Sequence, residues 1–240
     1  MQFDAWFKEA TTAEDIGEPN LMVLTTCGRE CRPRARIVYL RGYDETGFRF
    51  HTNYASLKGQ QLVTLNSTLL ISLIVQHCFM RFSYTQDSST DLRNLYFQKE
   101  NPYACLLFFW GPLHRQVIIE GKVEKLTEKE NEKQFHTSPR YHQIADLVSF
   151  NQSSVIASRE VLDDKEAKLK EEYADIEKVI PKPYYSGGFK LVPHQVEFWQ
   201  GRPNRLHDRF VFRKPGQHEV IDENLTKPGT NGWVYERLAP

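Results

Sequence analysis

The chain of 240 residues has few cysteines, no net charge and no long apolar run. The four cysteines are Cys27, Cys31, Cys78 and Cys105. Cys27 and Cys31 lack a second pair at metal-binding spacing, so no zinc site is expected. The thiols read as free, in a reducing compartment. Lys+Arg and Asp+Glu are equal at 31 each, and no basic block stands out. That balance argues against nucleic acid as the main partner. The longest strongly apolar stretch, Leu69 to Val75, is far too short to cross a bilayer. The N-terminus, M-Q-F-D-A-W-F-K-E-A, has neither the basic start nor the apolar segment of a signal peptide. Together these absences predict a soluble cytoplasmic protein with no membrane or metal partner.

What is present is a β-rich pattern. Leu21 to Thr26, Arg34 to Arg41 and Phe48 to Asn53 read as strands separated by turn residues, hence an antiparallel meander. Asp4 is a candidate cap for a first helix, and Ser56 opens a short one through Leu62. Tyr103 to Trp110 is continuously apolar and predicts a strand buried on both sides, with Arg115 to Val123 as its hairpin partner. Thr127 and Glu130 have capping-box spacing and open a helix to about His136. A longer helix, capped by Ser158, is expected over about 159–174. Residues 214–232 read as a long loop and Trp233 to Leu238 as the last strand. The fold class that follows is mainly β with flanking helices (α+β), a barrel or sandwich.

The richest stretch is V-E-F-W-Q-G-R-P-N-R-L-H-D-R-F-V-F-R, from Val196 to Arg213. It reads as strand, turn, strand. On the second strand Arg205, His207, Arg209 and Val211 would share one face, with neighbours about 6.6 Å apart. Two guanidinium groups and an imidazole so aligned suit an anionic or electron-rich planar ligand. Taken singly, these side chains read as an ordinary solvated strand face.

F-W-Q-G-x-x-x-R-L-H-D-R, with the chain ending in E-R-L-A-P, resembles the pyridoxamine 5'-phosphate oxidase family. Arg36-Ile37-Val38-Tyr39-Leu40, Phe50-His51-Thr52-Asn53, Arg115-Gln116-Val117 and Asn151-Gln152-Ser153-Ser154 match it too, in order. The resemblance implies an FMN-binding split β-barrel of Greek-key type, homodimeric, with FMN at the subunit interface. It implies FMN-dependent oxidation of pyridoxine or pyridoxamine 5'-phosphate to pyridoxal 5'-phosphate, with O2 as acceptor and hydrogen peroxide as by-product. By the same resemblance Arg36, Ile37, Val38, Tyr39, His51, Thr52, Lys58, Gln116, Gln152, Ser153, Trp199 and Arg209 would hold the cofactor. Arg41, Arg205, Leu206 and His207 would hold the substrate, with Arg205 and His207 as the catalytic pair. Without the joint match, Lys58 reads as a solvated helix lysine, Gln116 and Gln152 as surface amides, and Trp199 as core.

The chain departs from the family where the substrate phosphate is gripped. Arg41 stands for a Lys, Gln134 for a Tyr, Ser138 for an Arg and His142 for a Ser. Leu57 stands for an Arg beside Lys58, and Ser186 for a Trp. Arg140 is the nearest cation able to compensate. Losing two charge-assisted contacts, at about 1.5–3 kcal/mol each, predicts a weak KM. The alternative of a different class is a flavin- or pyridoxal-phosphate-binding homologue with lost turnover.

Deleting Val63 to Gln98 joins S-L-K-G-Q-Q-L to K-E-N-P-Y as in the family. The segment starts at a Val, whose codons begin GT, and Tyr96-Phe97-Gln98 is encodable as a pyrimidine-rich tract ending in AG. Residues 1–240 therefore read as one domain carrying a non-family insertion at 63–98, with a retained intron as the hypothesis.

Overall fold

A computed structural model describes residues 2–28, 30–62 and 101–240; the segment 63–98 lies outside the described residues. In chain order the elements are α1 (Gln2–Thr12), β1 (Leu21–Cys27), β2 (Pro33–Tyr39), β3 (Gly42–Asp44), β4 (Gly47–Asn53), α2 (Leu57–Leu62), β5 (Tyr103–Trp110) and β6 (Arg115–Lys125). Then follow α3 (Glu128–Thr137), α4 (Arg140–Val148), α5 (Glu160–Glu172), β7 (Ser186–Gln200), β8 (Asp208–Arg213), β9 (Thr226–Pro228) and β10 (Val234–Leu238). None of the described helices is long and apolar enough to cross a membrane.

All ten strands form one antiparallel sheet, ordered β2-β1-β5-β6-β7-β8-β10-β9, with the β3–β4 hairpin attached through β4 to β7. β7 is the spine: its first half pairs with β4 and its second with β8, while β6 runs along its other edge throughout. A bulge at Glu120/Gly121 lets β6 follow it. Gly121 is required there, because a Cβ would run into the Val192 carbonyl. The expected meander is interrupted. β2 pairs with β1 and β4 with β7, so β2 and β4 face each other across a gap with no ladder between them. That gap is the split in the barrel.

The core is apolar and aromatic, with Phe50, Phe108, Phe189, Leu24, Leu106, Val117 and Ile119 fully buried. α1 plugs one end, Phe3 packing edge-on against Tyr43, Phe48 and Phe108, and Trp6 against Phe198. Asp4 lies inside α1 rather than capping it, and bonds Lys8 and the Tyr43 hydroxyl. β5 is buried on one face only, since Tyr103 and Phe109 on the other are more than half exposed. Phe135, Ile144, Tyr173 and Ile180 form a second small core under α3, α4 and α5. The capping box forms with both reciprocal bonds between Thr127 and Glu130. α5 starts behind Arg159 with no side-chain cap bond, although the expected Glu166–Lys170 pair is present at 2.8 Å.

Candidate functional site

The gap between β2 and β4 opens into a cleft of about 360 Å³, floored by α2, α3 and α4. β2 supplies Ile37, Val38 and Tyr39 to its wall, β4 supplies His51, Thr52 and Asn53, and α2 supplies Lys58. Gln152 closes the same end, its Oε1 accepting from Lys58 Nζ at 2.7 Å. Ser153, at φ +80°, accepts from the Leu57 amide at 3.3 Å, and Asn53 Nδ2 donates to the Ser149 carbonyl at 2.7 Å. These bonds strap the 149–153 loop to the start of α2. The β2 edge facing the cleft pairs with no described strand, so its backbone groups are available to a ligand.

Two cations stand at this end without carboxylate partners among the described residues. Arg36 donates from Nη1 to the Leu24 carbonyl (3.0 Å) and to Thr26 Oγ1 (2.7 Å), whose hydroxyl in turn donates to Gln61. Burial lowers the pKa of both Arg36 and Lys58, and Arg36 adds to the effect on Lys58. Desolvated cations without counter-charge favour an anion between them. Thr52 Oγ1, in the cleft wall, is buried with no hydrogen-bond partner among the described residues. His51 is held to a pKa of about 4, chiefly by burial and then by Arg41. It is therefore neutral at physiological pH.

Arg41, Gln134, Ser138, His142, Asp146 and Ser186 also line the cleft. Arg41 lies over the Tyr39 ring at 5.3 Å. Ser186 Oγ donates to Asp146 Oδ2 at 2.7 Å, and burial raises the Asp146 pKa. Asp146 escapes a sequence reading because α4 does; its signals are Pro139 ahead of the helix and His142 and Asp146 one turn apart. Arg140 does not compensate for the missing cation. Its guanidinium is committed to the carbonyls of Tyr173, Asp175, Ile176 and Lys178, closing the end of α5.

The remaining candidates form a separate group. Gln116, Trp199 and Arg209 lie side by side across β6, β7 and β8. Arg205, Leu206 and His207 are not on a strand: β8 starts at Asp208, and Arg205 has a left-handed φ of +63°. The four-residue cationic face therefore does not form, because the 201–207 loop turns the chain before β8 begins. His207 packs on the Trp199 ring, centroids 4.8 Å apart, and accepts the Arg202 amide at Nδ1 (3.0 Å), which places its ring proton on Nε2. Arg209 is paired to Glu197 at 2.8 Å and donates to the Ala239 carbonyl at 3.0 Å. The Arg205 guanidinium donates to no described residue and Leu206 is exposed. None of these six residues lines the cleft.

A barrel split along an open strand edge, with an anion-seeking cleft in the split, defines the class as FMN-binding split barrels. By fold the chain matches PhzG of Burkholderia lata 383, solved with tetrahydrophenazine-1-carboxylic acid (TM-score 0.72, 23% identity, 100% of this chain and 91% of that one). It also matches a pyridoxamine 5'-phosphate oxidase-related, FMN-binding protein of Nostoc punctiforme PCC 73102 (TM-score 0.61, 13% identity, 100% and 98%). Residues 79–171 match the family model described as pyridoxamine 5'-phosphate oxidase, and residues 187–240 that of the pyridoxine 5'-phosphate oxidase C-terminal dimerisation region. The chain is 44% identical to the pyridoxine-5'-phosphate oxidase of Bos taurus (100% of this chain, 77% of the relative). It is 41% identical to the pyridoxine/pyridoxamine 5'-phosphate oxidase of Bombyx mori (100% and 79%). The chain belongs to the pyridoxine/pyridoxamine 5'-phosphate oxidase family.

The residues present fit FMN. A phosphate suits Lys58 and Arg36, the open β2 edge and the Thr52 hydroxyl suit a flat polar ring, and neutral His51 adds no competing charge.

Proposed function

We propose that the chain oxidises pyridoxine 5'-phosphate and pyridoxamine 5'-phosphate to pyridoxal 5'-phosphate, with FMN as cofactor and O2 as final acceptor. The observation that carries the reading is identity of 41–44% over the whole chain with relatives named for that activity. The cationic cleft in the barrel split supports it.

FMN, when bound, supplies the hydride acceptor and hands the electrons to O2, which yields hydrogen peroxide. The protein binds, orients and excludes water. Lys58, with Arg36 nearby, neutralises the cofactor phosphate; Gln152 and the Ser153 turn hold Lys58 and α2 in place. Backbone groups of Ile37, Val38 and Tyr39 and the hydroxyl of Thr52 hydrogen-bond the ring edge, and His51 lines it. Arg41 takes the substrate from the cleft. Gln116, Trp199 and Arg209, with Arg205, Leu206 and His207, lie outside the cleft of their own chain and act on the flavin and vitamin ring of a two-fold partner. In that role Arg205 covers the pyridine ring, and His207 binds its substituents and moves a proton through Nε2. In this reading the protein is a cytoplasmic homodimer, with 1–240 one domain and 63–98 an insertion, whose last residues, 79–98, fall inside the stretch that matches the family model. A transcript spliced across Leu62–Lys99 that lacks the segment supports that last point, and one that encodes it removes the intron hypothesis.

The test is purification followed by flavin absorbance, then assay of pyridoxal 5'-phosphate and peroxide. Yellow protein with both products is expected. Bound flavin without product overturns the oxidase reading and leaves a flavin-binding homologue.

A further inference from the structure

Beside Arg41 and His142 the cleft carries a carboxylate. Asp146 projects from α4, half-buried, and its Oδ2 is fixed by Ser186 Oγ at 2.7 Å. Asp146 lines the cleft, and its Oδ1 takes no hydrogen bond from a described residue. Arg41, on the chain between β2 and β3, and Lys58 are the permanent cations among the described residues lining the cleft, and of these Arg41 acts on Asp146, together with His142. Asp146 is set against Arg41, so the cation acting there is offset by a carboxylate. A phosphate monoester brings close to two negative charges and needs more than one cation to offset its desolvation. An alcohol needs none: its O–H donates to a carboxylate, and its oxygen accepts from a guanidinium or an amide.

We propose that Asp146, held by Ser186, is a specificity-determining residue that disfavours a phosphate ester beside Arg41 and accepts the free hydroxymethyl group instead. The site then takes the unphosphorylated vitamin nearly as well as its phosphate. This deepens, and rests on, the oxidase reading above.

The probes are pyridoxal and pyridoxal 5'-phosphate, titrated calorimetrically into the flavin-loaded protein, beside steady-state kinetics with pyridoxine and pyridoxine 5'-phosphate. For the unaltered chain the two ligands should bind within about tenfold of each other. Asp146→Asn keeps the shape and the Ser186 contact. It should tighten pyridoxal 5'-phosphate about tenfold, leave pyridoxal within about threefold, and act through KM rather than kcat. Ser186→Ala removes the donor but keeps the charge, so phosphate binding should stay weak. A preference of a thousandfold for the phosphate in the unaltered chain overturns the proposal, as does an Asp146→Asn variant with both affinities unchanged. If neither ligand binds and neither alcohol is oxidised by flavin-loaded protein, the oxidase reading itself fails, and the proposal with it.

Discussion

Lys58→Met is predicted to act in opposite directions on the empty fold and on cofactor binding. In the cleft, Lys58 is desolvated and stands near a second cation, Arg36; its one described hydrogen bond goes to neutral Gln152. Removing its charge relieves desolvation and like-charge repulsion, so the flavin-free protein should melt at the same temperature or higher. The methionine keeps the aliphatic stem packed. Binding of FMN loses a charge-assisted contact of about 1.5–3 kcal/mol, which is roughly a 10–150-fold rise in Kd at about 1.4 kcal/mol per tenfold. The assay is quenching of flavin fluorescence on titration of flavin-free protein, with riboflavin as the control. Riboflavin lacks the phosphate, so its affinity should be the same for both proteins. Equal losses for riboflavin and FMN would show that the substitution damaged the ring site, and an unchanged FMN affinity would refute the placement of the phosphate at Lys58.

Other substitutions test other parts of the site and fold. Thr52→Val removes a hydroxyl that has no partner among the described residues, so flavin-free stability should hold or rise while flavin affinity falls several-fold; a large loss of stability would show that the hydroxyl is bonded within the fold. His51, with a folded pKa of about 4 against 6.5 unfolded, binds fewer protons folded than unfolded between those values. Its contribution is therefore present above pH 6.5 and lost on acidification towards pH 4, up to about 3 kcal/mol. Urea unfolding at pH 7.5 and pH 5 should show a smaller loss in His51→Phe than in the unaltered chain, and equal losses would refute the assignment. Thr127→Ala removes the hydroxyl that accepts from the Glu130 amide and leaves the Thr127 amide bonded to Glu130; it should cost about 1 kcal/mol, read as a lower urea midpoint at unchanged slope.

The resemblance carried by F-W-Q-G-R-P-N-R-L-H-D-R and the four shorter motifs was legible because the residues that meet a cofactor are spelled out locally. So were the strands, since alternation along Leu21–Cys27 and Gly47–Asn53 is written in the sequence itself. Local pattern misread the 205–207 segment, because whether a strand begins at Arg205 or Asp208 depends on the neighbour it pairs with. β8 begins where Asp208 meets Gln200 across from it. Tyr103–Trp110 looked doubly buried because an apolar run does not say which of its faces finds a partner.

The sequence by itself determined the class of fold, the family and the set of residues able to hold an anion and a flat ring. Each depends on residue identity at short spacing, which the chain carries without folding. Only the tertiary structure decided how those residues are grouped. Lys58 and Gln152, far apart in sequence, meet at 2.7 Å because Asn53 ties β4 to the end of α4. Arg140 is committed to the end of α5, and Asp146 is turned with Ser186 into the cleft in place of a second cation. Those outcomes rest on long-range pairing and packing, and a one-dimensional pattern does not contain them.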